Sequence, residues 1–204
     1  MPFFVCNAAF SKKWMVLRKR KDDMNRNPVF LQVRKLVYSA LCLAIALVLP
    51  FLTGQIPEIG AMLCPMHFPV LLCGFVCGWP WGLAVGVISP LLRSFMFSMP
   101  PMFPVAVAMA VEMGVFGVVS GALYRTLPKT KWRVYPALLI AMVLGRIAWG
   151  GVQFLLAGLQ GTVFTPELFM AGAVFGAIPG IVLQLLLIPV LVIALDQGKL
   201  VLNH

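Results

Sequence analysis

Residues 66–101 read MHFPVLLCGFVCGWPWGLAVGVISPLLRSFMFSMPP, and this stretch decides the fold. Its only Asp, Glu, Lys or Arg is Arg93. The triplet Gly78-Trp79-Pro80 interrupts it, since glycine frees the backbone and proline suits the first turn of a new helix. The pattern predicts a short helix over about residues 68–78, a tight turn, and a longer helix over about 81–98. Ser98-Met99-Pro100-Pro101 ends the second helix, because consecutive prolines remove donors and favour extended backbone. Gly74, Gly78, Gly82 and Gly86 recur four residues apart, a spacing that lets helix backbones approach closely inside a bundle.

The whole chain shares this character. It has 204 residues, 61% hydrophobic and only 11% charged, with a mean hydropathy of +0.98. A soluble domain carries about 25% charged residues. The composition therefore excludes an ordinary soluble enzyme, a disordered chain and a disulfide scaffold. A membrane-spanning helix needs about 20 mostly apolar residues. Lys35–Leu52 qualifies and is broken by Thr53, Gly54 and Pro57. Further spans run from about Pro104 to Tyr124, Tyr135 to Ala157 and Pro166 to Leu195, the last long enough to tilt or kink at Pro179. The fold expected is an all-α integral membrane protein, a bundle of six transmembrane helices over residues 29–204. Residues 1–28 form a basic tail in front of it. Met24 would serve equally well as a start residue.

The charge balance, 16 Lys and Arg against six Asp and Glu, is sorted by side of the membrane. A cytoplasmic N-terminus places nine basic residues up to Lys35 inside, together with Arg125, Lys129, Lys131, Arg133 and Lys199. The three outer loops then hold none, only Glu58 and Glu167. Positive residues stay on the cytoplasmic side during insertion. The partition thus supports six spans with both termini cytoplasmic in the cell membrane, and reads the net charge of +10 as topology rather than nucleic-acid binding. The five cysteines are odd in number, and Cys73 and Cys77 on one helix face read as small apolar packing residues.

Three ions, Arg93, Glu112 and Arg146, fall within spans. Each costs at least about 2.5–3.5 kcal/mol at the membrane centre, so each is expected to face the interior with a partner. Two cations and one anion converging on a cavity in the outer half would leave a net positive site, suited to an anionic or acceptor-rich ligand. Arg146, Trp149 and Gln153 share one helix face, offering a cation, an aromatic plate and an amide. His67, between Met66 and Phe68 where an outer loop enters a span, is either a structural hydrogen bonder or a further ligand contact. Catalysis finds no support: no zinc-protease, serine-hydrolase, nucleotide or dinucleotide motif is present, nor any set of metal ligands or cofactor signature. Ser120 lies near the cytoplasmic end of its span, far from His67 at the outer face.

Met66-His67-Phe68-Pro69-Val70-Leu71-Leu72-Cys73-Gly74, continuing through Gly78, Gly82 and Gly86 to Ser89-Pro90-Leu91-Leu92 and Met99-Pro100-Pro101, resembles the substrate-binding S components of energy-coupling factor (ECF) vitamin transporters. The similarity runs from about Arg34 to Lys199. It implies a six-helix subunit that binds a water-soluble vitamin or related micronutrient with high affinity near the outer face. Its implied partners are a transmembrane coupling subunit and two cytoplasmic ATPases. The family's A-x-x-x-A contact for the coupling subunit matches Ala40 and Ala44. The excess of arginine favours an anionic vitamin such as pantothenate, with a flavin, a pyrimidine precursor or a corrinoid as the alternatives. The competing expectation is a structural or assembly membrane protein whose Arg93, Glu112 and Arg146 form a buried ion cluster with no transport role.

Overall fold

The structure, a computed structural model, describes residues 27–52, 64–128, 130–160, 178–198 and 200–203. The basic tail up to Arg26, the start at Met24, and the outer-loop residues Glu58 and Glu167 lie outside the described residues. The chain divides into two compact units, residues 1–37 and 38–204. Six α-helices follow in order: α1 (Pro28–Leu52), α2 (His67–Cys77), α3 (Trp79–Phe97), α4 (Val107–Thr126), α5 (Val134–Gln160) and α6 (Ile178–Gln197). No strand occurs among the described residues.

α1 starts where local chemistry favours it. Pro28 needs no amide partner in a first turn, and the Asn27 carboxamide oxygen accepts the Val29 N–H at 3.1 Å. α2 and α3 meet at Gly78, whose φ of 100° suits glycine best. Its N–H closes α2 onto the Gly74 carbonyl, and Pro80 then enters the first turn of α3. Ser98, left-handed at φ 55°, ends α3 just before the prolines. The break between α2 and α3 is therefore where the sequence places it.

Five helices are long and apolar enough to cross a membrane: α1, α3, α5, α6 and the stretch Met102–Thr126 that contains α4. α2, with 11 residues, is not. At 1.5 Å per residue it covers roughly half of the ~30 Å hydrocarbon thickness. Among the described residues the six spans expected thus stand as five helices of crossing length and one short apolar helix; the short one, expected over about residues 68–78, is bounded by Gly78 at one end and the Cys64–Met66 turn at the other. The expected kink at Pro179 falls at the edge of the described residues, whereas Pro189 lies inside α6.

α4 is the hub, packing on α2, α3 and α5. Glycine makes the approach possible. A methyl group on Gly82 would meet the Gly117 backbone, one on Gly86 the Met113 carbonyl, and one on Gly74 both Ser120 and Gly117. The stripe from Gly74 to Gly86 therefore packs within the bundle against Gly114, Gly117 and Gly121 of α4. Around it lie Leu71, Phe75, Met113, Phe116, Tyr124 and Leu138, all buried. Cys42, Cys73 and Cys77 are buried in the same core, as small apolar residues are. The chain end closes one side: Leu202 N–H donates to the Val76 carbonyl at 2.8 Å, and the Asn203 amide donates to the Gly121 carbonyl at 2.8 Å.

Overpacking a core costs about 1–3 kcal/mol where side chains can shift, and at Gly117 the obstacle is backbone. Gly117→Val is expected to abolish monodisperse, cooperatively unfolding protein in detergent. Gly151→Ala, with nothing within 4 Å of the new methyl, should melt like the parent. Equal melting of the two variants would remove the close glycine contact from the account.

Candidate functional site

Three helices each deliver one polar side chain to a common point. α2 contributes His67 from its first residue, α4 contributes Glu112, and α5 contributes Arg146. Arg146 Nη1 lies 3.0 Å from Glu112 Oε1, and His67 Nε2 lies 3.7 Å from the same oxygen. Glu112 is 2% exposed and His67 3%. An ion so placed in an apolar bundle requires a counter-charge, which Arg146 supplies.

A strained turn sets the histidine. Cys64 holds φ 46°, an uncommon conformation for a residue with a side chain. Its carbonyl faces the His67 backbone N–H at 3.0 Å and His67 Nδ1 at 3.2 Å. The Cys64 sulfur lies 3.7 Å from Arg146 Nη2. Burial pushes the Cys64 thiol above its ordinary range, partly offset by the Arg146 charge. The Phe116 ring, 5.1 Å from the imidazole, forms an apolar wall.

Arg93 is not brought to this cluster. Its guanidinium donates to the Leu47 carbonyl of α1 at 3.0 Å and lies over the rings of Phe51 and Phe97 at 5.2 and 5.6 Å. The sequence spacing allowed convergence, but helix rotation turned this side chain toward α1. With Arg93 elsewhere and Arg146 paired, the net positive charge expected here is not assembled. Trp149 and Gln153 are half-buried on α5, one and two turns beyond Arg146. Ser89, on the same face of α3 as Arg93, is fully buried with its hydroxyl 3.8 Å from the Met113 sulfur.

Two polar residues escaped the sequence. Cys64 stands in the sequence as one of five cysteines with no role of its own, and its backbone role has no signature in composition. Gln184 is 2% exposed on the interior face of α6, and it is the single polar side chain between Ile178 and Leu195. That isolation was a visible signal. A separate cavity of about 360 Å³ lies where α1 and α6 meet the start of α2, lined by Cys42, Ile45, Phe68, Leu72 and Ile188 among others. All its walls are apolar apart from one thiol, so nothing there orients a polar solute, and the chemistry lies with the ions instead.

A family model for the ECF transporter substrate-specific component matches residues 34–195. The chain belongs to this family. Neither a curated protein nor a solved structure matches it. The protein is thus a multi-pass membrane subunit of a transporter, and the matched segment spans all six helices apart from the ends of α1 and α6. Membership implies a small-molecule substrate and association with coupling and ATPase modules.

Removing one partner of a buried ion pair costs about 3–5 kcal/mol, because the other charge is left unanswered. Arg146→Ala in this S component is expected to lower the melting temperature in detergent markedly. Adding Glu112→Ala should recover part of the loss. A double variant as unstable as the sum of the two single variants would show that the pair is not coupled.

Proposed function

We propose that this S component is the high-affinity, membrane-embedded binding subunit for uptake of a water-soluble vitamin or related micronutrient. The observation that carries this is the Glu112–Arg146–His67 cluster. It is buried among apolar helices; among the described residues His67 Nε2 has no hydrogen-bond partner, and Glu112 Oε1 meets Arg146 as an ion pair without an aligned hydrogen bond. Architecture alone satisfies its polar atoms, whereas a binding site keeps some for its ligand. Trp149 and Gln153 extend the site along α5. Arg93 serves to tie α3 to α1, and an anionic vitamin such as pantothenate loses the free cation that favoured it.

Energy comes from partners: a transmembrane coupling subunit acting with two cytoplasmic ATPases. Ala40 and Ala44 are the contact for the coupling subunit. Both are exposed on α1, while Ser39, Cys42, Ala46 and Pro50 of the same helix are buried. Two small residues one turn apart give a flat strip on which another helix can lie. The clustering of lysine and arginine supports a cytoplasmic N-terminus with the cluster in the outer half of the membrane.

Calorimetry of the purified protein against the water-soluble vitamins is expected to find a sub-micromolar ligand whose binding Arg146→Ala weakens and Arg93→Ala does not. Absence of any ligand for folded protein would leave the cluster structural. In proteoliposomes holding the complete transporter, Ala40→Trp and Ala44→Trp should keep ligand affinity and lose uptake. Undiminished uptake in both would move the coupling contact elsewhere.

A further inference from the structure

His67 Nδ1 faces the Cys64 carbonyl, which can only accept, so Nδ1 carries the ring hydrogen. With its hydrogen on Nδ1 the ring presents a lone pair at Nε2. That lone pair faces Glu112 Oε1 across 3.7 Å; both atoms are buried, Nε2 has no partner among the described residues, and Oε1 is engaged by the Arg146 ion pair at 3.0 Å without an aligned hydrogen bond. Two acceptors look at each other with no hydrogen between them. The third buried side-chain atom left without a hydrogen-bond partner among the described residues, Gln184 Oε1, is an acceptor as well.

An N–H···O or N–H···N bond is about 2.9 Å long. One atom about 2.9 Å from both acceptors forms a triangle on the 3.7 Å base, and it must carry two hydrogens to serve both. A hydroxyl has one. A carboxylate has none, and it would stand against the Glu112 charge, which Arg146 already pairs. An amino or primary amide nitrogen meets the requirement, and the Phe116 ring beside His67 offers an apolar face to the ring or chain that bears it.

We propose that the substrate carries an amino or amide NH2, which it inserts between His67 Nε2 and Glu112 Oε1, and that the part seated there bears no negative charge. The proposal rests on the Glu112–Arg146–His67 cluster being the substrate site. It narrows the ligand to a neutral or cationic, donor-bearing class and sets aside carboxylates as the recognised group.

The test is calorimetry of the intact S component in detergent against the water-soluble vitamins together with the matched pair nicotinamide and nicotinate. The tightest ligand is expected to bear an NH2, and its N,N-dimethyl analogue to bind at least about ten-fold more weakly, the equivalent of about 1.4 kcal/mol. His67→Gln, which keeps an acceptor, should retain most of the affinity, whereas His67→Phe should lose about ten-fold or more, with both variants first shown to unfold cooperatively. A tightest ligand without NH2, or one indifferent to dimethylation, overturns the donor proposal and leaves the binding function standing. Binding to none of the compounds by folded protein overturns both.

Discussion

A carboxylate held at 2% exposure inside an apolar helix is the constraint on which the site depends. Glu112 has no water to turn to, and a lone charge in hydrocarbon costs several kcal/mol. Arg146 answers it from α5, and His67 from α2 approaches without completing a bond. One anion thereby fixes the rotation of two neighbouring helices about α4. It also leaves the ring nitrogen Nε2 without a hydrogen-bond partner among the described residues, which is chemistry a ligand can use.

That arrangement requires α4 to stand at the centre, and glycine places it there. In lipid the hydrophobic effect does not drive helix against helix, so close van der Waals contact must. Gly82 and Gly117 bring two backbones together, and Gly74, Gly86 and Gly121 extend the seam. Such a seam is rigid, because any added carbon meets backbone rather than a movable side chain. By contrast α1 is the least enclosed of the full-length helices, with 22% of its apolar window buried against 44% for Met102–Thr126. A firm centre with one lightly held outer helix suits a subunit that must keep a pocket intact while offering a face to another membrane protein.

The short α2 links fold to function. Its first residue, His67, stands opposite Glu112. The strained Cys64 carbonyl then holds the imidazole by both its backbone and ring nitrogens' side, so that Nδ1 is committed and Nε2 is presented inward. Strain of this kind persists where the surroundings over-determine it, commonly at binding sites.

Much was legible in the chain itself. Apolar run lengths defined the helices, Gly78-Trp79-Pro80 and Ser98-Met99-Pro100-Pro101 marked their breaks, and the Met66–Pro101 pattern pointed to the family that the match over residues 34–195 establishes. These are local properties, set by backbone propensity and by the cost of polar groups in lipid, so they survive without neighbours. Glu112 and Arg146 could be singled out for the same reason. Which ions meet could not, because a spacing of residues on one helix says nothing about rotation relative to the next. Tertiary packing sent Arg93 to the Leu47 carbonyl and the rings of Phe51 and Phe97, and brought His67 instead to the carboxylate. It also buried Gln184. Sequence determined what had to be hidden from lipid; only the glycine-seamed contact of α4 with its neighbours decided who would share the hiding place.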